Sequence, residues 1–112
     1  QAIHVAAEEW WREGISCENI TIRNNRFVDC GITGHSPVGG VKVEMEVDAP
    51  AGTPQKHIRI EDNCFDLPGV ARAVLLSNAE DVVLHGNVYL RCAEPVEIRD
   101  CLSVQNDDGA CR

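Results

Sequence analysis

A ten-residue pattern recurs along this chain, and its recurrence limits the fold more than any other feature. The clearest copies are Glu18-Asn19-Ile20-Thr21-Ile22-Arg23-Asn24-Asn25-Arg26-Phe27, Lys56-His57-Ile58-Arg59-Ile60-Glu61-Asp62-Asn63-Cys64-Phe65 and Glu80-Asp81-Val82-Val83-Leu84-His85-Gly86-Asn87-Val88-Tyr89. A weaker fourth copy reads Asp100-Cys101-Leu102-Ser103-Val104-Gln105-Asn106-Asp107. The shared pattern is apolar, polar, apolar, two spacers, Asn, one spacer, aromatic. The copies start at 18, 56, 80 and 100, so the periods are 38, 24 and 20 residues. Self-similarity at such a period marks a stacked repeat, in which each unit buries its apolar face only against its neighbours.

A second set of apolar alternations lies between the copies: Ala2–Ala6, Gly40–Glu44, Ala73–Ser77 and Pro95–Arg99. Ile3, Val41, Val74 and Val96 fall in one slot of these segments, and Val5, Val43, Leu76 and Ile98 in another. Side chains alternate faces along a strand, so these slots point inward, while His4, Lys42, Leu75 and Glu97 share the outward slot between them. Segments around Phe27, Phe65 and Tyr89 supply a third wall. A chain that revisits the same walls in the same order stacks like strands on like, and those strands are parallel. The expected fold is all-β: a right-handed parallel β-helix of about four rungs, one domain over residues 1–112. Asn25, Asn63 and Asn87, with Asp107 in the fourth copy, are expected to form an Asn ladder at a rung spacing of about 4.8 Å. The alternative is that each Asn is only a turn residue.

Composition agrees. Aromatics are 4% of the 112 residues, so the core must be built from Val, Ile and Leu, which suit strands. With 18 acidic and 10 basic residues the net charge is −8, which argues against nucleic acid and anionic membranes as partners. No run of 18 apolar residues exists to span a bilayer. The chain starts at Gln1 rather than Met, and we read it as a fragment of a longer β-helix protein. The six cysteines, Cys17, Cys30, Cys64, Cys92, Cys101 and Cys111, permit a disulfide framework. The preferred reading is that they are small buried hydrophobes, since Cys30 and Cys92 each lie five residues past a repeat Asn. No pair has C-x-x-C spacing, so no metal and no cofactor is expected.

Several residues are candidates for chemistry. Glu44 and Glu46 lie two apart on one strand, hence on one face, roughly 6–7 Å apart. Hydrolysis of a glycoside needs two carboxyl groups at about that separation, which makes them the candidate catalytic pair, with Asp48 continuing the series into substrate binding. The bland alternative is a solvated acidic face. Arg23, Glu61, His85 and Gln105 form an outward column, beside Thr21, Arg59, Val83 and Ser103. Glu61 and His85 there can bind substrate or handle protons, or simply pair charges across strands. Trp10 and Trp11 lie off the strands, where they can stack on a sugar ring or cap the open end of the coil.

These rungs resemble the pectin lyase-like superfamily of right-handed parallel β-helices. Within it, Trp10-Trp11-Arg12-Glu13-Gly14, the copy at Asn19–Phe27 and His57–Asn63 resemble the C-terminal rungs of glycoside hydrolase family 110, the α-1,3-galactosidases. That resemblance implies a carbohydrate-active protein, a glycoside hydrolase if it is an enzyme, acting on a galactoside or other polysaccharide, and secreted or periplasmic. The family's catalytic Asp-Asp pair lies on upstream rungs. Here the adjacent aspartates are Asp107-Asp108, near the C-terminus, and the Glu of the Trp segment is displaced by one residue. The alternative function is a non-enzymatic solenoid module. Its apolar ends, Ile3 and Val5 at one and Leu102 and Val104 at the other, would drive homo-oligomerisation or docking on further rungs.

Overall fold

The computed structural model describes residues 2–8, 17–30, 38–46 and 55–108. Every regular element among them is a β-strand. In chain order these are β1 (Ile3–Glu8), β2 (Glu18–Arg23), β3 (Arg26–Val28), β4 (Val38–Glu46), β5 (Gln55–Glu61), β6 (Cys64–Asp66), β7 (Arg72–Ser77), β8 (Ala79–His85), β9 (Val88–Leu90), β10 (Val96–Arg99) and β11 (Leu102–Asn106). They form three parallel sheets, ordered β1-β4-β7-β10, β2-β5-β8-β11 and β3-β6-β9. Each pass of the chain therefore adds one strand to each sheet in turn. The fourth pass adds β10 and β11.

The inward slots stack as the alternation requires. Ile3 pairs with Val41, Val41 with Val74 and Val74 with Val96. Val5, Val43, Leu76 and Ile98 form the neighbouring column. In the second sheet Ile20, Ile58 and Val82 stack, as do Ile22, Ile60 and Leu84. Between the sheets these side chains make one core, sealed by a column of rings. Phe27 and Phe65 stack at 4.7 Å, and Phe65 and Tyr89 at 5.4 Å, both nearly parallel.

The Asn column is a saturated hydrogen-bond chain. Asn63 Oδ1 accepts from the backbone N–H of Asn25 at 2.9 Å and from its Nδ2 at 3.1 Å. Asn63 Nδ2 donates to Ile22 O at 2.9 Å and to Asn87 Oδ1 at 3.0 Å. Asn87 repeats the pattern, accepting from Asn63 and donating to Ile60 O at 2.8 Å. Both amides are buried, and each spends two acceptor and two donor sites. The column ends at Asp108, whose carboxylate accepts from Asn87 N at 2.9 Å, Asn87 Nδ2 at 2.8 Å and Tyr89 Oη at 2.5 Å.

The fourth pass corrects the sequence reading. Val104, not Leu102, pairs with Val82, and Asn106 with Leu84. A slide of two residues preserves alternation, so the apolar pattern alone does not distinguish the two registers. Leu102 is left 66% exposed, Gln105 pairs with Val83 rather than sitting after His85, and Asp108 rather than Asp107 closes the ladder.

Strand β4 begins at Val38, so Gly39 and Gly40 are strand residues. A Cβ on Gly40 would lie 2.5 Å from Ala73 O and 2.6 Å from the Phe65 ring. Gln55 opens β5 as a fully buried side chain, with Oε1 accepting from Cys17 N at 2.5 Å and Nε2 donating to Glu44 O. Cys92 belongs to the core, with Cys17, Cys30 and Cys101 packed at its edge.

Left-handed positions explain the Asn and Asp content. Asn19, His57, Asp81 and Ser103, equivalent residues of four successive strands, all have φ between 55° and 59°. Asn24 and Asp62 repeat this between the second and third sheets, where the equivalent residue is Gly86 at φ 72°. Asn and Asp tolerate the left-handed region better than other side chains, which is why they recur at these positions.

Two outcomes test this architecture. Asn63→Ala strands a buried carbonyl and an amide, and should cost about 2–4 kcal/mol in urea unfolding. Asn25→Ala, at the exposed end of the column, should cost no more than about 1 kcal/mol, and equal costs would contradict the ladder. Gly40→Ala should destabilise by about 1–3 kcal/mol through the ring contact, read as a lowered Tm.

Candidate functional site

The outward face of β2-β5-β8-β11 carries stacked rows of polar side chains. Arg23, Glu61 and His85 stand in one row across three strands, with Glu61 paired to both neighbours by register. Thr21, Arg59, Val83 and Gln105 form the row beside it. The left-handed row within these strands is Asn19, His57, Asp81 and Ser103.

One cluster on this wall is fully engaged. His57 Nδ1 lies 2.6 Å from Asp81 Oδ2. Arg59 Nη2 reaches the same oxygen at 3.4 Å, and its Nη1 donates to Asp81 O and Ile58 O, each at 3.1 Å. The His57 hydrogen bond, then that of Arg59, holds the Asp81 carboxyl below its ordinary value. An ionised carboxylate only accepts, so Nδ1 of His57 donates to Asp81.

The next row is less engaged. Among the described residues no salt bridge joins Arg23 to Glu61 or Glu61 to His85. His85 Nδ1 instead lies 3.5 Å from Asp107 Oδ2, which also accepts from Gln105 Nε2 at 2.8 Å. Arg23 and Glu61 thus present an open donor set and an open acceptor set one strand apart, about 4.8 Å. The structure places Glu61 and His85 together, as the repeat spacing requires.

Glu44 lies on another sheet. It projects from β4 beside Ala6 of β1, and its carboxylate is held by His4 Nε2 at 2.8 Å and Lys42 Nζ at 3.1 Å. Glu46 belongs to the same strand, but its side chain lies outside the described part of the structure. Trp10, Trp11 and Asp48 lie outside the described residues altogether. Sequence reasoning missed the His57–Asp81 contact. The signal was available: His57 and Asp81 hold the same position in successive copies, so stacking makes them neighbours.

Away from this wall, Asp66 accepts from Arg91 Nε at 2.7 Å, and that bond holds its carboxyl below its ordinary value. The Tyr89 phenol is pushed far up, first by burial and then by the Asp108 carboxylate. Among the described residues no group of three His, Cys, Asp or Glu side chains is placed to hold a metal ion.

No family profile, curated protein or solved structure matches the chain.

The depressed carboxylates Asp81 and Asp66 set a pH dependence. Their stabilisation is fully present above the unfolded value, about 3.9, and is lost as pH falls through the lower folded value. Both carboxylates are partly exposed, so the effect is modest and screened by salt. Their contribution to Tm should therefore be constant from neutrality to about pH 5 and decline below about pH 4. In Asp81→Asn and Asp66→Asn, Tm measured against pH should show a shallower acid limb than wild type.

Proposed function

We propose that this chain is a segment of a right-handed parallel β-helix of about four rungs, and that its outward wall β2-β5-β8-β11 binds carbohydrate. The observation that carries this reading is the row Arg23, Glu61, His85. Arg23 donates, Glu61 accepts, and His85 does either, at the spacing of adjacent strands. Vicinal hydroxyls of a pyranose each donate and accept, and a flat wall offers such groups in sequence along a sugar chain. The polar, acidic surface and the resemblance to carbohydrate-active β-helices support the same ligand class. A polyanionic ligand would be disfavoured by the net charge of −8.

Two carboxylates, Glu61 and Asp107, flank His85 on this wall. They sit two strand spacings apart, about 9–10 Å at the backbone, near the upper end of the carboxyl separation used for inverting hydrolysis. Cleavage is therefore tested together with binding.

A panel of galactosides and oligosaccharides should be titrated by calorimetry and followed for released reducing sugar. A saturable ligand is expected, with Arg23→Ala and Glu61→Gln each weakening it about tenfold, a loss of about 1.4 kcal/mol, while Tm is unchanged. Lys42→Ala, on the other sheet, should leave affinity as it is. Absence of saturable binding across the panel, or equal loss with Lys42→Ala, would overturn the proposal.

A further inference from the structure

The Asn column has a direction. Along it, every carboxamide donates toward the later strand and accepts from the earlier one: Asn25 to Asn63, Asn63 to Asn87, Asn87 to Asp108. The two ends of the stack are therefore chemically unequal. At the end formed by β1, β2 and β3, Asn25 donates to Asn63 Oδ1 and Arg23 O, while its own Oδ1 accepts nothing among the described residues. At the other end stands a carboxylate. Asp108 Oδ1 and Oδ2 already accept three hydrogen bonds, and an ionised carboxylate has no proton to pass on.

We propose that Asp108 is a stop for the column. The end formed by β10 and β11 is built to refuse a further parallel turn. The end formed by β1, β2 and β3 takes one, provided that turn brings a side-chain N–H to Asn25 Oδ1. The occupant is defined by the ladder itself: a parallel strand turn carrying Asn, or another side-chain donor, at the column position. A wild-type copy does not qualify. Stacked head to tail, it would set the Asp108 carboxylate against Asn25 Oδ1 with no side-chain proton between them, and the Asp108 backbone N–H, which the column's pattern would aim at that oxygen, already donates to Asn106 Oδ1 at 3.1 Å.

This matters because the apolar edges alone would allow stacking. Leu102 is 66% exposed and Ile98 43% exposed at one end, and Val28 is 42% exposed at the other. Unpaired parallel edges invite pairing unless something specific prevents it. The sequence reading anticipated end-to-end association; the direction of the ladder separates the two ends. The inference does not depend on the carbohydrate reading, since it concerns the ends of the sheets and not the outward wall.

The chain carries its own reporter. Cys17 and Cys101 directly precede Glu18 and Leu102, which occupy one register column through Lys56 and Glu80. Two copies stacked head to tail in register would bring Cys101 of one beside Cys17 of the next. Their Cα atoms would lie about 4.8 Å apart, within the disulfide range of about 4.4–6.8 Å.

The test compares wild type, Asp108→Asn and the double variant Asp108→Asn/Asn25→Leu by light scattering over rising concentration. Each is also treated with diamide, which takes up the two thiol protons and two electrons as the disulfide forms. Asp108→Asn should retain the bonds from Asn87, as Asn63 and Asn87 retain theirs, and should add open-ended growth in mass and a Cys17–Cys101 linked peptide by mass spectrometry. Wild type should show neither, and Asn25→Leu should abolish both in the double variant. A Cys17–Cys101 link in wild type would overturn the proposal, whether or not the variant folds. So would a folded Asp108→Asn that behaves as wild type. Should Asp108→Asn fail to fold, Asp108→Gln provides the same donor on a longer side chain, with the same two outcomes.

Discussion

A buried carboxamide is tolerable only when its donors and acceptor are all used, and the fold of this chain depends on meeting that condition repeatedly. Asn63 and Asn87 sit at 1% and 7% exposure, where an unmade hydrogen bond would cost about 1–3 kcal/mol. Each meets the requirement only if the strand before it and the strand after it lie in one register. Apolar stacking draws the three sheets together without fixing register, because Val on Ile is much like Val on Leu. The amide column supplies the discrimination. The aromatic column, two residues further along each pass, then packs at the spacing the amides have set.

The left-handed positions serve the same register. Left-handed residues recur at equivalent positions in successive passes, between the second and third sheets at Asn24, Asp62 and Gly86, and within the strands of the second sheet at Asn19, His57, Asp81 and Ser103. Side chains at these positions consequently form columns of their own. The His57–Asp81 contact is one result, and the closeness of Asp62 to Gly86 is another. A Cβ at Gly86 would fall 2.2 Å from Asp62 Oδ1, so a side chain there would displace the Asp62 carboxylate, although Asn24 and Asp62 hold the same left-handed conformation without glycine. Polar chemistry on the outward wall therefore follows from the turning of the backbone.

Much of this was legible in the sequence, and the reason is spacing. The inward slots of the first sheet, the three walls and the Asn positions of the first three passes follow from counting residues. So does the adjacency of Glu61 and His85. The fourth pass was not legible because a slide of two residues keeps alternation intact, and only the buried partner of Asn87 decides the register. Gln55 lies just outside the repeated pattern, and glutamine is usually exposed; it is buried because it bridges the Cys17 amide and the Glu44 carbonyl across two sheets. Val38 and Gly39 precede the Gly40–Glu44 alternation, since two glycines seldom continue a strand; here Cys30 O crowds the space beside Gly39, and Ala73 O and the Phe65 ring that beside Gly40. Glu44 was singled out as half of an acidic pair, but its partners His4 and Lys42 come from a stacking contact and an alternate residue on one strand.

The central claim is that the buried amides are saturated along a directional column. Hydrogen exchange of the Asn carboxamide protons, followed by NMR, tests it most directly. The account predicts that the Nδ2 protons of Asn63 and Asn87 exchange on the timescale of core backbone amides, far more slowly than those of the exposed Asn19 and Asn24. Exchange of all four at one fast rate would contradict it, and with it the register on which the three sheets are built.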